Sequence, residues 1–171
     1  LFLNAQASEI KWKYAKEGNK VIFIRHSIAP GSGDPKGFDL ADCKTQRNLN
    51  KQGINQSKRI GQLFEKNKIP IDRVLSSQWC RCKDTAKYAF KNYQEFSALN
   101  STFQPPYDKK AKKQIKELKD YIQKWNGKGG NLVLVTHYVI ITAITDVAPR
   151  SGEIVIIDKN FDVLSTILTS D

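Results

Sequence analysis

The chain has 171 residues, 40% of them hydrophobic and 26% charged, an ordinary globular composition and enough for one domain with a proper core. No apolar run approaches the roughly 18 residues needed to span a bilayer, so no transmembrane segment is expected. The formal net charge of +11 favours anionic partners: phosphorylated substrates, nucleic acid or an anionic membrane surface. A solvated basic face is the plainer explanation of the same lysines.

Residues 1–7, Leu-Phe-Leu-Asn-Ala-Gln-Ala, read as the remnant of a secretory signal, because Ala5-Gln6-Ala7 has the small-x-small form of a cleavage site. That reading predicts a periplasmic or secreted protein, with a cytoplasmic one as the alternative. Residues 8–171 then form a single domain. Residues 8–19 are polar apart from Trp12 and Tyr14, and are expected to lie across the domain surface.

Val21–Ile24 is a short apolar run of β-branched and aromatic residues, the pattern of a strand buried on both faces. Arg25 and His26 follow at once. In open α/β sheets ligands bind beyond the carboxyl ends of the strands, which is where these two residues fall. Residues 29–46 form a long loop with Gly31, Gly33, Pro35 and Gly37; a loop of that length beside such a strand end is usually functional.

A helix is expected from about Lys51 to Lys66, with an early Gly53. A turn at Ile69–Asp72 leads into a strand around Arg73–Leu75. Ser77 reads as an N-cap for a helix running to about Phe90. Arg81 lies near the start of that helix, where the backbone N–H groups and the dipole already favour an anion. Residues 92–107 read as irregular. A lysine-rich helix follows over Lys109–Lys124, its lysines a solvated face. The Gly129-Gly130-Asn131 turn enters a second buried-type strand, Leu132–Thr136, and the next residue is His137. A short buried helix from Val139 to Ile144 and a terminal hairpin of Ile154–Ile157 with Val163–Leu168 complete the chain.

The elements predict a three-layer α/β sandwich. Its central sheet is mostly parallel and flanked by helices, and the C-terminal hairpin supplies an antiparallel edge. The chain has two histidines, and both follow candidate central strands directly. That shared placement points to one site. Three cysteines, Cys43, Cys80 and Cys82, suit one disulfide and one free thiol in an exported protein. Cys43 paired with either of the others would tie the long loop to the Arg81 helix. Cys80-Arg81-Cys82 is a poor metal site, with no second ligand pair beside it.

Three segments resemble the histidine phosphatase superfamily, the phosphoglycerate-mutase-like fold. Arg25-His26-Ser27 resembles its Arg-His-Gly signature. Residues 76–86, Ser-Ser-Gln-Trp-Cys-Arg-Cys-Lys-Asp-Thr-Ala, resemble its Ser-Ser-Pro-x-x-Arg-x-x-x-Thr-Ala segment. Val135-Thr136-His137-Tyr138 is similar to its Val-Thr-His-Gly segment. The resemblance spans roughly residues 20–158 in the family's order and is closest to the small single-domain branch, which includes exported phosphatases of envelope phosphates.

The resemblance implies a phosphatase that forms a phosphohistidine on His26. Arg25 and Arg81 would clamp the phosphoryl oxygens, as guanidinium geometry suits phosphate. His137 would donate a further hydrogen bond, and Arg47 would face the pocket or the surface. Neither a metal nor another cofactor is expected, since Asp, His and Glu do not cluster at ligand spacing. The expected substrate is a phosphorylated small molecule or an envelope phosphate. Nucleic acid is not expected, because interleaved aromatics are sparse in the lysine-rich helix.

The chain departs from the family at two glycine positions, taken by Ser27 and Tyr138, which would narrow the pocket rim. It also departs at the general acid. The family's glutamate has no clear counterpart, which leaves Asp34, Glu95 or neither. Without an acid, substrates with good leaving groups are favoured. The alternative function is a binder of phospho-ligands or anionic surfaces on the same fold, without turnover.

Overall fold

The computed structural model describes residues 2–170, and for residues 2–5 the backbone only. Leu1 and the Ala5 side chain lie outside the described residues, and with them part of the signal remnant. The sheet has six strands: β1 (Val21–Arg25), β2 (Ile71–Ser76), β3 (Gln94–Glu95), β4 (Asn131–Thr136), β5 (Ile154–Ile157) and β6 (Val163–Ile167). Their spatial order is β3-β2-β4-β1-β5-β6. The first four are parallel to their neighbours, whereas β5 runs antiparallel to β1 and β6 antiparallel to β5. Five helices cover the two faces: α1 (Phe2–Glu17), α2 (Lys51–Lys66), α3 (Cys80–Phe90), α4 (Ala111–Lys124) and α5 (Tyr138–Thr145).

Val21–Ile24 of β1 and Leu132–Val135 of β4 are apolar because both faces of each strand are covered. Ile22 and Ile24 point to a layer with Trp12 of α1, Ile60 and Phe64 of α2, and Ala86 of α3. Val21 and Phe23 point the other way, to Leu118 and Ile122 of α4 and Ile140 of α5. This is the expected three-layer sandwich with an antiparallel edge.

Two readings of the sequence need correction. Residues 8–19 do not lie loosely across the surface. Residues 8–17 belong to α1, whose Trp12 and Ala15 are buried in the core. The helix leaves little apolar stripe in the sequence because it buries so few side chains. Ser77 is not the N-cap of α3, which is Trp79; its hydroxyl accepts from Trp79 N–H at 3.2 Å and also serves a histidine.

The carboxyl ends of β1, β4 and β2 lie side by side. Arg25 is in register with Thr136, and Ser76 with Val135. The chain is pinned just beyond them, where His26 N–H donates to Thr136 O at 2.9 Å and Ser77 N–H to Val135 O at 3.0 Å. α2 is drawn tightly over the end of β1 through Gly53. A Cβ there would lie 2.0 Å from the Ile28 carbonyl oxygen, so only glycine allows this approach.

Candidate active site

The two histidines sit on adjacent strand ends, with ring centroids 5.6 Å apart. His26 is buried, and its Nδ1–H donates to Ser27 O at 2.9 Å. That bond fixes the tautomer and puts the ring's lone pair on Nε2, on the far side of the ring. Burial, followed by the nearby Arg81 charge, pushes the His26 pKa well below that of an ordinary imidazole. The ring is therefore neutral at neutral pH, as a nitrogen nucleophile must be.

Arg81, on the second residue of α3, joins the parts. Its Nε–H reaches His26 Nε2 at 3.3 Å, and its Nη2 lies 3.5 Å from His137 Nδ1. Its Nη1 donates to both Asp34 oxygens, at 2.9 and 3.1 Å. Asp34 comes from the long loop after β1 and accepts two more bonds, from Arg47 N–H and Trp79 Nε1–H, each at 3.0 Å. Burial works against its charge, yet the Arg81 guanidinium and these N–H donors hold the Asp34 pKa below its usual value.

His137 is buried as well, and its Nε2 meets the Ser77 hydroxyl at 2.8 Å. Arg81 Nη2 can only donate, so Nδ1 is the accepting nitrogen and the His137 proton sits on Nε2, donating to the Ser77 hydroxyl. Burial and then the Arg81 charge lower the His137 pKa well below the usual value. Asn100 supports the arrangement from behind, its Oδ1 accepting from Gln78 N–H at 2.8 Å and from the Ser77 hydroxyl at 3.3 Å.

Arg25 donates to Pro149 O at 2.9 Å and stacks 5.4 Å from the Tyr138 ring centroid. Its Nε is buried with no acceptor among the described residues, a donor left for an anion. Arg47 donates to Gly33 O at 2.7 Å and to Ala29 O, and burial first, then Arg81, brings its pKa down to about 10. Three guanidinium groups and one carboxylate thus face a cavity of about 220 Å³. The surplus of positive charge suits a phosphoryl dianion. Among the described residues no three His, Cys, Asp or Glu side chains gather at metal-binding distance.

Residues 21–126 match the histidine phosphatase superfamily, branch 1. The chain belongs to this superfamily. No curated protein matches the sequence. Among solved structures the fold is similar to the protein histidine phosphatase SixA complexed with tungstate, at 15% identity and a TM-score of 0.60, covering 88% of this chain and 97% of that one. It is also similar to TTHB049 from Thermus thermophilus, at 14% identity and a TM-score of 0.62, covering 87% and 99%. A putative alpha-ribazole-5'-P phosphatase from Escherichia coli K-12 gives 14% identity and a TM-score of 0.62, covering 90% and 97%.

In this histidine phosphatase fold, Arg25, His26, Asp34, Arg47, Arg81 and His137 line one pocket. Two other sequence candidates lie elsewhere. Ser27 is fully buried and turned away from the pocket: its Oγ accepts from Ser57 Oγ of α2 at 2.8 Å, and its N–H donates to Thr85 Oγ1 at 3.0 Å. It fastens β1 to α2 and α3 and does not narrow the rim. Glu95 is on the edge strand β3, paired with Lys83 at 3.3 Å and outside the pocket. Tyr138 does lie on the rim.

Ser77, Trp79, Asn100 and Gln104 hold the site together yet carried no sequence signal as site residues. Their bonds cross 22 to 70 residues of chain, so no local pattern marks them. The Cys43–Cys80 disulfide ties the Asp34 loop to the first turn of α3, and Cys82 is the free, buried thiol. Burial pushes the Cys82 pKa up to about 12, which makes it an inert neighbour of His137.

Proposed function

We propose that this chain is a metal-independent phosphatase that works through a phosphohistidine on His26. The observation that carries the reading is the His26 tautomer. Nδ1–H is committed to Ser27 O, and the Nε2 lone pair lies beside Arg81 in a pocket that Arg25 and Arg47 also line. In the first step Nε2 attacks phosphorus in line. The Nε2–P bond forms as the bond to the leaving atom breaks, and the electron pair departs with that atom. Water then attacks the same phosphorus, the N–P bond breaks, and phosphate leaves with His26 restored.

The positive charge that a metal could supply comes here from Arg25, Arg47 and Arg81, arranged before the reaction begins. His137, with its proton on Nε2, offers Nδ1 to Arg81 and steadies the guanidinium beside His26. Asp34 holds Arg81 in place; with both oxygens taken by donors, it is not poised to release a proton. Export to an oxidising compartment fits both the Cys43–Cys80 disulfide and the Ala5-Gln6-Ala7 sequence.

The test is phosphate release from a panel of phosphorylated compounds, in chelator, by the wild type and His26→Ala. Turnover that survives chelator and vanishes in His26→Ala, with acid-labile label trapped on His26, is the expected result. Tight binding of phosphate compounds without any turnover would make the protein a binder on this fold instead.

A further inference from the structure

The three arginines of the pocket are held in different ways. Arg81 is gripped by the Asp34 carboxylate, and Arg47 donates to two backbone carbonyls. Among the described residues no carboxylate pairs with Arg25. Its side chain makes one hydrogen bond, from Nη1 to Pro149 O at 2.9 Å. A guanidinium held at one corner is free to swing about that contact. Its Nε is nevertheless buried, the one buried side-chain donor without an acceptor among the described residues. A donor left in that state is costly, so a second hold is needed to keep it there.

The Tyr138 ring supplies that hold. Its centroid lies 5.4 Å from Arg25 Cζ, within the reach of cation–π attraction. The sheet sets up the contact. Arg25 ends β1 in register with Thr136 of β4, and Tyr138 follows two residues later as the first residue of α5. The ring is not placed there by burial, since Tyr138 is 41% exposed at the pocket mouth. Nor is it held by its hydroxyl, which has no hydrogen-bond partner among the described residues. The motif that this segment resembles has glycine at the same place, which offers an arginine no face to lie against.

We infer that Tyr138 is a positioning residue for Arg25. Its ring face and Pro149 O together fix the guanidinium, so that the unpaired Nε–H is held ready for an oxygen of the bound phosphoryl group. The kinetic consequence rests on the phosphatase reading, whereas the consequence for anion affinity does not. The aromatic face is what matters, so phenylalanine should serve as well as tyrosine.

The experiment measures the Kd of inorganic phosphate by calorimetry, and kcat and KM for acetyl phosphate. It uses the wild type, Tyr138→Phe, Tyr138→Leu, Arg25→Gln and the Arg25→Gln/Tyr138→Leu double variant. Tyr138→Phe should match the wild type in both measurements. Tyr138→Leu should weaken phosphate binding about 2- to 5-fold, the worth of a cation–π contact at a partly exposed site. Its kcat/KM should fall by at least that factor. In the Arg25→Gln background the leucine should add almost nothing, because the group that the ring positions is gone. A packing role would give the same loss in both backgrounds.

Three results would overturn the inference: a leucine variant that binds phosphate like the wild type, a phenylalanine variant as weak as the leucine one, or a leucine loss that persists in full without Arg25. Failure of the wild type to bind phosphate would overturn it as well. The expected pattern of phosphate affinities in a protein without His26-dependent turnover would uphold the role of Tyr138 and remove the phosphatase reading alone.

Discussion

Arg81 grips both oxygens of Asp34 through one nitrogen, Nη1, and the two side chains are each only 3% exposed. The grip aims the rest of the guanidinium, with Nε toward His26 and Nη2 toward His137. One carboxylate on a loop thereby sets the position of the cation against both histidines. A bidentate phosphate contact depends on that kind of alignment.

If Asp34 positions Arg81, Asp34→Asn should slow every substrate by a similar factor, about 10- to 100-fold. The amide keeps the shape but loses the charge that holds the guanidinium. Steady-state rates on an activated aryl phosphate and on an alkyl phosphate decide the matter. A loss confined to the alkyl phosphate would return the proton-donor role to Asp34. Glu95→Gln should change neither rate, because Glu95 sits on β3 paired with Lys83 and outside the pocket.

The central strands were legible because β1 and β4 are buried on both faces and read as unbroken apolar runs. The two histidines were legible for the same reason, each being the first or second residue past such a run. Their contact follows from β4 pairing directly with β1, a strand order that the sequence reading did not specify. The site's supports were not legible. Asn100 reaches Ser77 and Gln78, and Gln104 reaches Asp34, across turns whose own sequence shows only polar residues. Ser27 misled because its position in the motif suggests the rim, while its hydroxyl satisfies Ser57 in the interior.

Both histidines have folded-state pKa values well below the ordinary 6.5. The unfolded chain therefore binds more protons once the pH drops below about 6.5, and stability is lost as pH falls from there toward the folded values. The slope approaches about 1.4 kcal/mol per pH unit for each histidine. Thermal melts between pH 8 and pH 5 should show a falling Tm, with a shallower fall in His26→Gln and His137→Gln. The nucleophile also stays unprotonated, so the acid limb of kcat/KM should lie well below pH 6.5. A Tm independent of pH across that range would contradict the buried neutral rings.

The Cys43–Cys80 bridge closes a loop with a sequence separation of 37, which contains both Gln46 and Arg47, residues that anchor the Asp34 loop. By loop entropy, opening it should cost about 3–4 kcal/mol. It should also loosen the loop that positions Arg81. Cys43→Ser, or mild reductant, should therefore lower Tm by several degrees and reduce kcat as well. Cys82→Ser should leave the reductant effect in place, since Cys82 is not in the bridge. Identical melts with and without reductant would show that the bridge contributes nothing.

Ser77 supplies the last test, because it reaches the pocket through His137 while also holding Trp79 N–H and Asn100. Its hydroxyl meets His137 Nε2 at 2.8 Å, and Cys82 Sγ is the other neighbour of that nitrogen at 3.5 Å. The hydroxyl accepts from Nε2–H while its own proton goes to Asn100 Oδ1, which leaves the Nδ1 lone pair for Arg81. In Ser77→Ala the buried Nε2 loses that partner, at a cost of about 1–3 kcal/mol. If that cost falls on the transition state, kcat drops about 5- to 100-fold while KM moves little. A simple packing role would predict a lower Tm with kcat untouched. The decisive comparison is a double-mutant cycle with His137→Gln. Ser77→Ala should slow the wild type but add almost nothing once His137 is gone. Losses that multiply would mean that Ser77 and His137 act separately, and that the hydroxyl does not set the histidine's proton.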